Sequence, residues 1–332
     1  MPIRRRGYHH WDGRLASDRW TWLAISGTGL RLGMRQKNAS LLIWSALPLS
    51  VMAGVLFYLL AVVQNEGAGV SRDIVGVLLA FVGLGRGQAV NMAQMVVPMW
   101  TIVFARLCQV ELFFLLLVQA KFGSDLVSGD LRTNALPIYF SKPITVSTYL
   151  LGKWLVAFLF AAGVTILPNL LAYAAGVLLT DPFSQLVLTA GLLARLAAYS
   201  FLVAGLASLV ILALSSLTRD WRLVLAGWFG LMLLSSVAQG IFDMVAEGEY
   251  AGGLLGAVSI PRNVGRLAYW MLGVDGAVEA TGHPKLFGAA VGSDVYGVGI
   301  GYSVAVLAVI AALCVLICVK RVRRFQVAVA NA

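Results

Sequence analysis

The sequence predicts an all-α membrane protein with six transmembrane helices, and composition, apolar runs and charge distribution each support this fold class. Of the 332 residues, 60% are hydrophobic and only 12% are charged. A soluble domain of this length needs more polar residues to cover its surface. A bundle of spans does not, because each span needs about 20 apolar residues to cross roughly 30 Å of hydrocarbon.

The N-terminal segment, residues 1–39, is basic and precedes the first apolar run. Within it, residues at spacings of three and four share one face of a helix: Trp20, Leu23, Gly27, Leu30 and Met34. Arg31 and Arg35 fall on other faces. The pattern predicts an amphipathic helix that lies in the membrane interface with its tryptophan at headgroup depth. A merely basic tail is the alternative.

Six apolar runs are long enough to span a bilayer: Leu41–Val63, Met99–Ala120, Tyr149–Leu179, Leu186–Leu214, Leu223–Phe242 and Val298–Val319. The third and fourth exceed the length that a bilayer needs, so we expect them to tilt or to project into the cytoplasm. Pro168 and Asn169 interrupt the third run. A passive bend is favoured there over a gate hinge.

The basic residues set the orientation. With a cytoplasmic N-terminus, 18 of the 25 Lys and Arg residues lie in cytoplasmic segments and five in external ones. Because cytoplasmic segments are enriched in Lys and Arg, both termini are predicted to lie in the cytoplasm. Residues 1–39 and 321–332 are then cytoplasmic tails of a transmembrane domain, 40–320. The same bias explains the net charge of +10 without a nucleic-acid partner.

Two predicted external loops contain apolar pieces that are too short to cross the membrane. Loop 64–98 contains Ile74–Leu84, for which we expect a surface or re-entrant helix. Loop 243–297 contains Gly253–Ile260 and Val264–Leu272, separated by a proline. Backbone at membrane depth is tolerated only against protein or water. Two re-entrant helices between spans five and six, which dip in from outside and return, would satisfy that condition.

Between spans two and three lies a predicted cytoplasmic coupling segment, residues 121–148. It is polar and turn-rich at 123–130, semi-apolar at 131–140, and broken at 141–143. The residues that can share one face of a short helix are Leu131, Ala135, Leu136 and Tyr139. Pro137 strains such a helix. An apolar and aromatic face turned to the cytosol is typical of a docking surface, and an ordinary intracellular loop is the alternative.

The same segment carries a motif. Its residues are Gly123, Asp125, Leu126, Gly129, Asp130, Arg132, Ala135 and Leu136, then Ser141–Lys142–Pro143, then Tyr149–Leu150–Leu151–Gly152–Lys153. This run resembles the hallmark of type-2 ABC transporter permeases, in the branch that includes the permease of nitrous-oxide-reductase maturation and bacterial multidrug or antibiotic exporters. The surrounding plan of interfacial helix, six spans and re-entrant pair is also similar. The N-terminal lead and the first external loop are longer than in that plan.

The resemblance implies a non-catalytic permease subunit of an ATP-driven exporter. Such permeases work as dimers, and we expect a homodimer. Each chain docks a separate ABC ATPase subunit, two copies in all, which binds ATP and Mg²⁺ and whose closure switches the access of the translocation path. The implied docking residues are Asp125, Leu126, Asp130, Leu131, Arg132, Ala135, Leu136, Tyr139, Phe140, Lys142 and Pro143.

This chain itself is expected to be no enzyme and to hold no cofactor. Phosphate-binding loops of ATPases follow the pattern G-x-x-x-x-G-K-[ST], in which backbone amides cradle the phosphates. The sequence has no such run, since Gly152 and Lys153 are followed by Trp154. The three cysteines lie in apolar runs and are predicted to be small packing residues rather than metal ligands: Cys108, Cys314 and Cys318.

Three ionisable side chains lie inside predicted spans, Arg106 and Glu111 in the second and Arg195 in the fourth. Intramembrane charges are costly and normally face protein or water. Glu111 is therefore expected to pair with Arg195 or Arg106. A polar substrate path is the functional interpretation, and a structural ion pair that locks the bundle is the alternative.

Two other functions fit parts of the sequence. The first is a secondary transporter that uses the three intramembrane charges as an ion-coupled relay, although no inverted repeat is visible and the spans hold a single acid. The second is a mechanical membrane anchor, in which ATPase motion drives an external partner through the loops at 64–98 and 243–297. The anchor would share the docking segment with the exporter.

Overall fold

The computed structural model describes residues 20–36, 44–66, 96–141, 144–179, 182–245, 257–280 and 299–330. The regular structure within these ranges is helical. Several predicted features lie outside the described residues, namely Ile74–Leu84, the first half of Gly253–Ile260, Lys142 and Pro143.

The helices are α1 (Thr21–Met34), α2 (Leu47–Glu66), α3 (Val96–Val118), α4 (Ser128–Arg132), α5 (Ala135–Phe140), α6 (Val146–Leu179), α7 (Pro182–Leu217), α8 (Trp221–Val245), α9 (Ile260–Leu272), α10 (Val274–Ala280) and α11 (Ile300–Ala330). A π-helical turn, Gln119–Gly123, extends α3 towards α4. Among the described residues, five helices are long and apolar enough to cross a membrane: α3, α6, α7, α8 and α11. The chain is therefore an all-α, multi-pass membrane protein.

The first predicted span is the exception. Its helix, α2, contributes a shorter apolar stretch, Leu47–Leu59, to the described residues. The six-span topology therefore stays a prediction. The third predicted span is one helix throughout, since α6 continues through Pro168, whose carbonyl accepts a hydrogen bond of 3.0 Å from Ser50 Oγ on α2.

The central helix is α6, which packs against α1, α2, α3 and α7. An aromatic cluster joins three of these helices at the end of α6 that is remote from Val146: Phe57 on α2, Trp100 and Phe104 on α3, and Tyr173 on α6. Ring centroids of Phe57 and Trp100 are 4.3 Å apart, and those of Trp100 and Tyr173 are 5.8 Å apart. Edge and tilted contacts of this kind stabilise a pair beyond its area burial.

Helix α1 runs lengthwise beside the first third of α6. Ile25 lies against Gly152, Gly29 against Val156, and Gly33 against Phe160. Because these contacts rise together in number along both helices, α1 and α6 run in the same direction. Two glycines, Gly29 and Gly33, let α1 approach α6 closely, and the position of α1 in the membrane interface stays a prediction. The predicted apolar face points away from the protein, with exposed residues at Trp20, Leu23 and Met34.

Helix α9 belongs to the second predicted external loop and is surrounded by α3, α7, α8 and α11. Its 13 residues give a length of about 20 Å, too short to cross. The Ser259 side chain caps its first turn, which accommodates Pro261, and Gly273 ends it at φ 75°. Gln239 Oε1 on α8 accepts hydrogen bonds from the backbone N–H groups of Val258 and Ser259, at 3.1 and 3.3 Å. Irregular backbone packed between spans is thereby satisfied.

Candidate functional site

The coupling element, residues 124–141, leads from the π-helical turn of α3 to the start of α6. It contains two short helices, α4 and α5, where the sequence predicted one. Asn134 separates them in the left-handed conformation, with φ of 51°, which asparagine tolerates better than most residues. Pro137 lies in the first turn of α5, where its missing N–H costs little. The expected strain at Pro137 is therefore relieved by restarting the helix.

The inner side of the coupling element faces the bundle. Leu131 and Leu136 are only 3% and 1% exposed. They belong to an apolar cluster with Tyr149 of α6, Cys318 of α11 and Trp228 of α8. Leu131 and Leu136, which were predicted to form the docking face, thus pack against the bundle and anchor the element.

The outer side of the element presents different residues. Ile138 is 67% exposed, and Pro137, Arg132 and Asn134 are exposed beside it. Ala135, Tyr139 and Phe140 are partly buried at the edge. Ile138 was not among the predicted site residues. Helical geometry could have found it, because two residues are about 200° of rotation and Ile138 therefore lies opposite Leu136.

Asp130 joins the coupling element to the base of α6. Its Oδ2 lies 2.7 Å from Lys153 Nζ and accepts a hydrogen bond of 2.6 Å from the Tyr149 hydroxyl. The two charged side chains are 13% and 16% exposed, so water screens their attraction weakly. The rings of Tyr139 and Tyr149 are 5.6 Å apart. Burial and the negative charge of Asp130 raise the pKa of Tyr139 above its ordinary value.

Asp125 serves the element locally. It pairs with Arg132 at 3.2 Å, but the two side chains are 47% and 50% exposed. Exposed pairs of this kind contribute about 0–1 kcal/mol. Its carboxylate also lies 3.4 Å from Ser128 Oγ, and it therefore helps to shape the turn before α4. Leu126, between them in the motif, is partly buried against the core.

Ser215 fastens the coupling element to α7. Its hydroxyl accepts hydrogen bonds from the backbone N–H groups of Val127 and Ser128, both 3.0 Å long, and donates one of 2.9 Å to the carbonyl of Ser124. These backbone groups stand where α3 ends and α4 begins, outside regular helical bonding. A single buried side chain of α7 thus satisfies three of them.

The glycines of the motif have packing reasons that the sequence did not reveal. A Cβ on Gly123 would lie 2.6 Å from Ile211 Cγ2 of α7. One on Gly152 would lie 2.8 Å from Ile25 Cβ and 3.0 Å from the carbonyl oxygen of Trp22 on α1. Both positions mark close approaches of helices that a larger residue would separate.

The intramembrane charges do not form the expected ion pair. Glu111 Oε2 accepts a hydrogen bond of 2.8 Å from Asn169 Nδ2 on α6. Arg106 donates to Gln109 Oε1 at 3.2 Å, and Gln109 donates to the hydroxyl of Tyr269 on α9. Arg195 is exposed on α7. Its Nη1 lies beside Gly273 at the C-terminal end of α9, where the helix dipole favours a cation.

No family model matches the chain, and no curated protein matches it. The membrane character rests on the five apolar helices. Membership of the permease family, which rests on the motif at 123–153, stays a prediction.

Proposed function

We propose that this chain is the transmembrane permease subunit of an ATP-driven ABC exporter and that the coupling element is its docking site for a separate ATPase subunit. The observation that carries the proposal is the two-sided construction of residues 124–141. The element exposes an apolar residue, Ile138, on its outer side. On its inner side it is bonded to α6 through Asp130 and to α7 through Ser215.

This construction is suited to an element that transmits a displacement from a docked ATPase to the helix bundle. A flexible loop would absorb a displacement, whereas a short element held by hydrogen bonds and an ion pair moves together with the helices to which it is bonded. Asp130 connects it to Lys153 and Tyr149, both in the first turns of α6. Since α6 packs against five other helices, α11 among them, a movement at its base reaches most of the bundle.

In this proposal ATP and Mg²⁺ bind to the partner ATPase and this chain contributes no catalytic residue. The permease acts as a homodimer with two ATPase copies, in a bacterial inner membrane with the coupling element in the cytoplasm. The charge distribution of the sequence supports that orientation. The exported substrate is left open.

The test is to purify the tagged chain from native membranes and to measure Mg²⁺-dependent ATP hydrolysis in the eluate. The co-purifying protein is identified by mass spectrometry and must carry a G-x-x-x-x-G-K-[ST] run. We expect the Ile138→Asp chain to lose both the co-purifying ATPase and the ATP hydrolysis, because the new carboxylate would be desolvated in an apolar interface. Ile138→Leu should retain both.

The matched control is Ser147→Asp. Ser147 is exposed in the first turn of α6, outside the coupling element, and an acidic residue is favourable at a helix N-terminus. It should leave the ATPase bound. Leu136→Asp is unsuitable, because this buried residue supports the element and its replacement would disrupt the fold. An Ile138→Asp chain that retains wild-type hydrolysis would refute docking at this surface.

A further inference from the structure

A polar cluster lies in the middle of the helix bundle, away from the coupling element. Glu111 of α3, Asn169 of α6 and Ser200 of α7 are 2%, 2% and 1% exposed. Asn169 Nδ2 lies 2.8 Å from Glu111 Oε2, 3.1 Å from Ser200 Oγ and 2.9 Å from the carbonyl of Thr165. Glu111 is 15 residues from Val96 at the start of α3, or about 22 Å along the helix. The other end of α3, Val118, is seven residues or about 10 Å away, so the cluster lies within the length of the helix and not at its end.

The hydrogen bonding of this cluster is incomplete. Within the part of the chain that the structure describes, Glu111 Oε1, Asn169 Oδ1 and the Tyr199 hydroxyl are buried and have no hydrogen-bond partner. The amide nitrogen of Asn169 carries two hydrogens, yet four acceptors surround it, with Cys108 Sγ at 4.0 Å as the fourth. A buried carboxylate that receives one hydrogen bond from a neutral amide is poorly compensated.

No neighbouring cation balances Glu111 among the described residues. Arg106, on the same helix, donates to Gln109. Arg195 is exposed and lies beside Gly273. The titratable groups that face the cluster are Cys108 on α3 and Tyr199 on α7, and the hydroxyl of Tyr199 lies within electrostatic range of Cys108, Glu111 and Tyr269. None of these groups supplies a positive charge.

We propose that this cluster is a binding site for one monovalent cation, a proton or a sodium ion. Glu111 supplies the single negative charge, and the unpartnered oxygens of Asn169 and Tyr199 supply neutral ligands. Oxygen donors of this kind coordinate hard cations. A divalent metal ion fits less well, because no group of three or more His, Cys, Asp or Glu residues exists among the described residues.

Polar side chains connect α3 with α9 in the neighbourhood of this cluster. Arg106 and Gln109 lie on α3, five and two residues before Glu111, and Gln109 is bonded to Tyr269 of α9. The Tyr199 hydroxyl lies within electrostatic range of both Tyr269 and Glu111. The inference does not depend on ATPase docking, because it concerns different residues.

The test is covalent labelling of the purified full-length chain in detergent with dicyclohexylcarbodiimide, which modifies protonated carboxyl groups in apolar surroundings. Peptide mass spectrometry locates the label, and labelling is repeated over a range of pH in sodium chloride and in choline chloride of equal ionic strength. We expect a label on Glu111 that declines as the pH rises. Protection by sodium over choline identifies a sodium ion as the cation, and the absence of protection identifies a proton.

Thermal unfolding supplies the second readout. A cation that binds only the folded chain raises Tm with its concentration, so a sodium site predicts a higher Tm in sodium than in choline. Glu111→Gln keeps the shape but not the charge and should abolish both the label and the ion dependence. Glu279→Gln, at an exposed carboxylate of α10, is the matched control and should abolish neither. An unlabelled Glu111 at every pH, together with equal Tm in both salts, would overturn the proposal. The unpartnered oxygens of the cluster would then be hydrogen-bonded by water.

Discussion

Asp130 and Asp125 lie five positions apart in the motif, yet their surroundings lead to unequal contributions to stability. The Asp130 carboxylate contacts Lys153 and Tyr149 in a region where both charges are largely buried. The Asp125 carboxylate meets Arg132 at the surface. Removing one member of a shielded pair leaves its partner uncompensated, whereas a solvated partner is compensated by water.

We therefore expect Asp130→Asn to lower the free energy of unfolding by about 1.5–3 kcal/mol, the range for hydrogen bonds to charged groups. Asp125→Asn should cost less than about 1 kcal/mol. Both are measured by thermal unfolding in detergent. Adding Lys153→Met to Asp130→Asn should restore part of the loss, because no unpaired ammonium then remains. Equal effects of the two single variants would contradict the assigned burial.

Ser215 allows a second test at the scale of one side chain. Ser215→Ala leaves the N–H groups of Val127 and Ser128 without their acceptor, at a cost of about 1–3 kcal/mol for each group that stays buried. The neighbouring variant Ser216→Ala is the control, since that hydroxyl bonds to Ala213 of its own helix. Proteolysis of the folded chain within residues 124–141 should accelerate in Ser215→Ala and not in Ser216→Ala.

At the scale of elements, close packing of the π-helical turn against α7 fixes the position of the coupling element. The π-helical turn brings Gly123 against α7, and a Cβ there would lie 2.6 and 2.7 Å from two carbons of Ile211. Gln119 in the same turn donates to Ser208 Oγ at 2.8 Å. A wide turn at this point, frequent at functional sites, joins the end of α3 to α7 before the chain enters α4.

Gly123→Ala should therefore lower Tm, because an added methyl group in packed surroundings costs about 1–3 kcal/mol. Ile211→Ala in the same chain removes both carbons that the methyl would meet, and the double variant should be less destabilised than the sum of the two single variants. Gly230→Ala is the control, since nothing lies within 4 Å of a Cβ at that position. Additive losses in the double variant would show that Gly123 is required for another reason.

The bounds of the helices could be predicted from the sequence more fully than which face of each helix is buried. Apolar length is a local property, and the predicted span Tyr149–Leu179 differs from α6 only at its first turn. Which side of α5 turns inward depends on α6 and α11, distant in sequence, so Leu136 was assigned to the outside. The partner of Glu111 was missed for the same reason. Charge complementarity suggested an arginine, whereas packing brings Asn169, 58 residues away, into contact.

At the scale of the whole molecule, the direction of the helices relates the two ends of the chain. α1 begins beside Gly152 near the base of α6, and α2 lies beside the far part of α6 through Ser50, Gly54 and Phe57. α3 then returns, with Trp100 near Tyr173 and Phe122 stacked on Phe160 at 3.9 Å. The last helix, α11, brings Cys318 and Val322 into the cluster beneath the coupling element.

The described parts of α1 and α11 thus place the start of one and the end of the other at the same end of the bundle. Five crossings of the membrane would place the two termini on opposite sides of it, whereas six crossings place them on the same side. The 20 residues of α2 measure about 30 Å, the thickness of the hydrocarbon layer. We therefore predict that α2 completes a sixth crossing and that both termini face the cytoplasm.

Single cysteines test this topology, because the three native cysteines are buried and should react slowly with a membrane-impermeant maleimide. Ser17→Cys and Asn331→Cys should be labelled only after intact cells are opened, since both are predicted to lie inside. Ser71→Cys, in the first predicted external loop, should be labelled in intact cells. Labelling of Ser17→Cys and Asn331→Cys on opposite sides would mean an odd number of crossings. The parallel packing of α2 beside α6 would then have to occur without α2 passing through the bilayer.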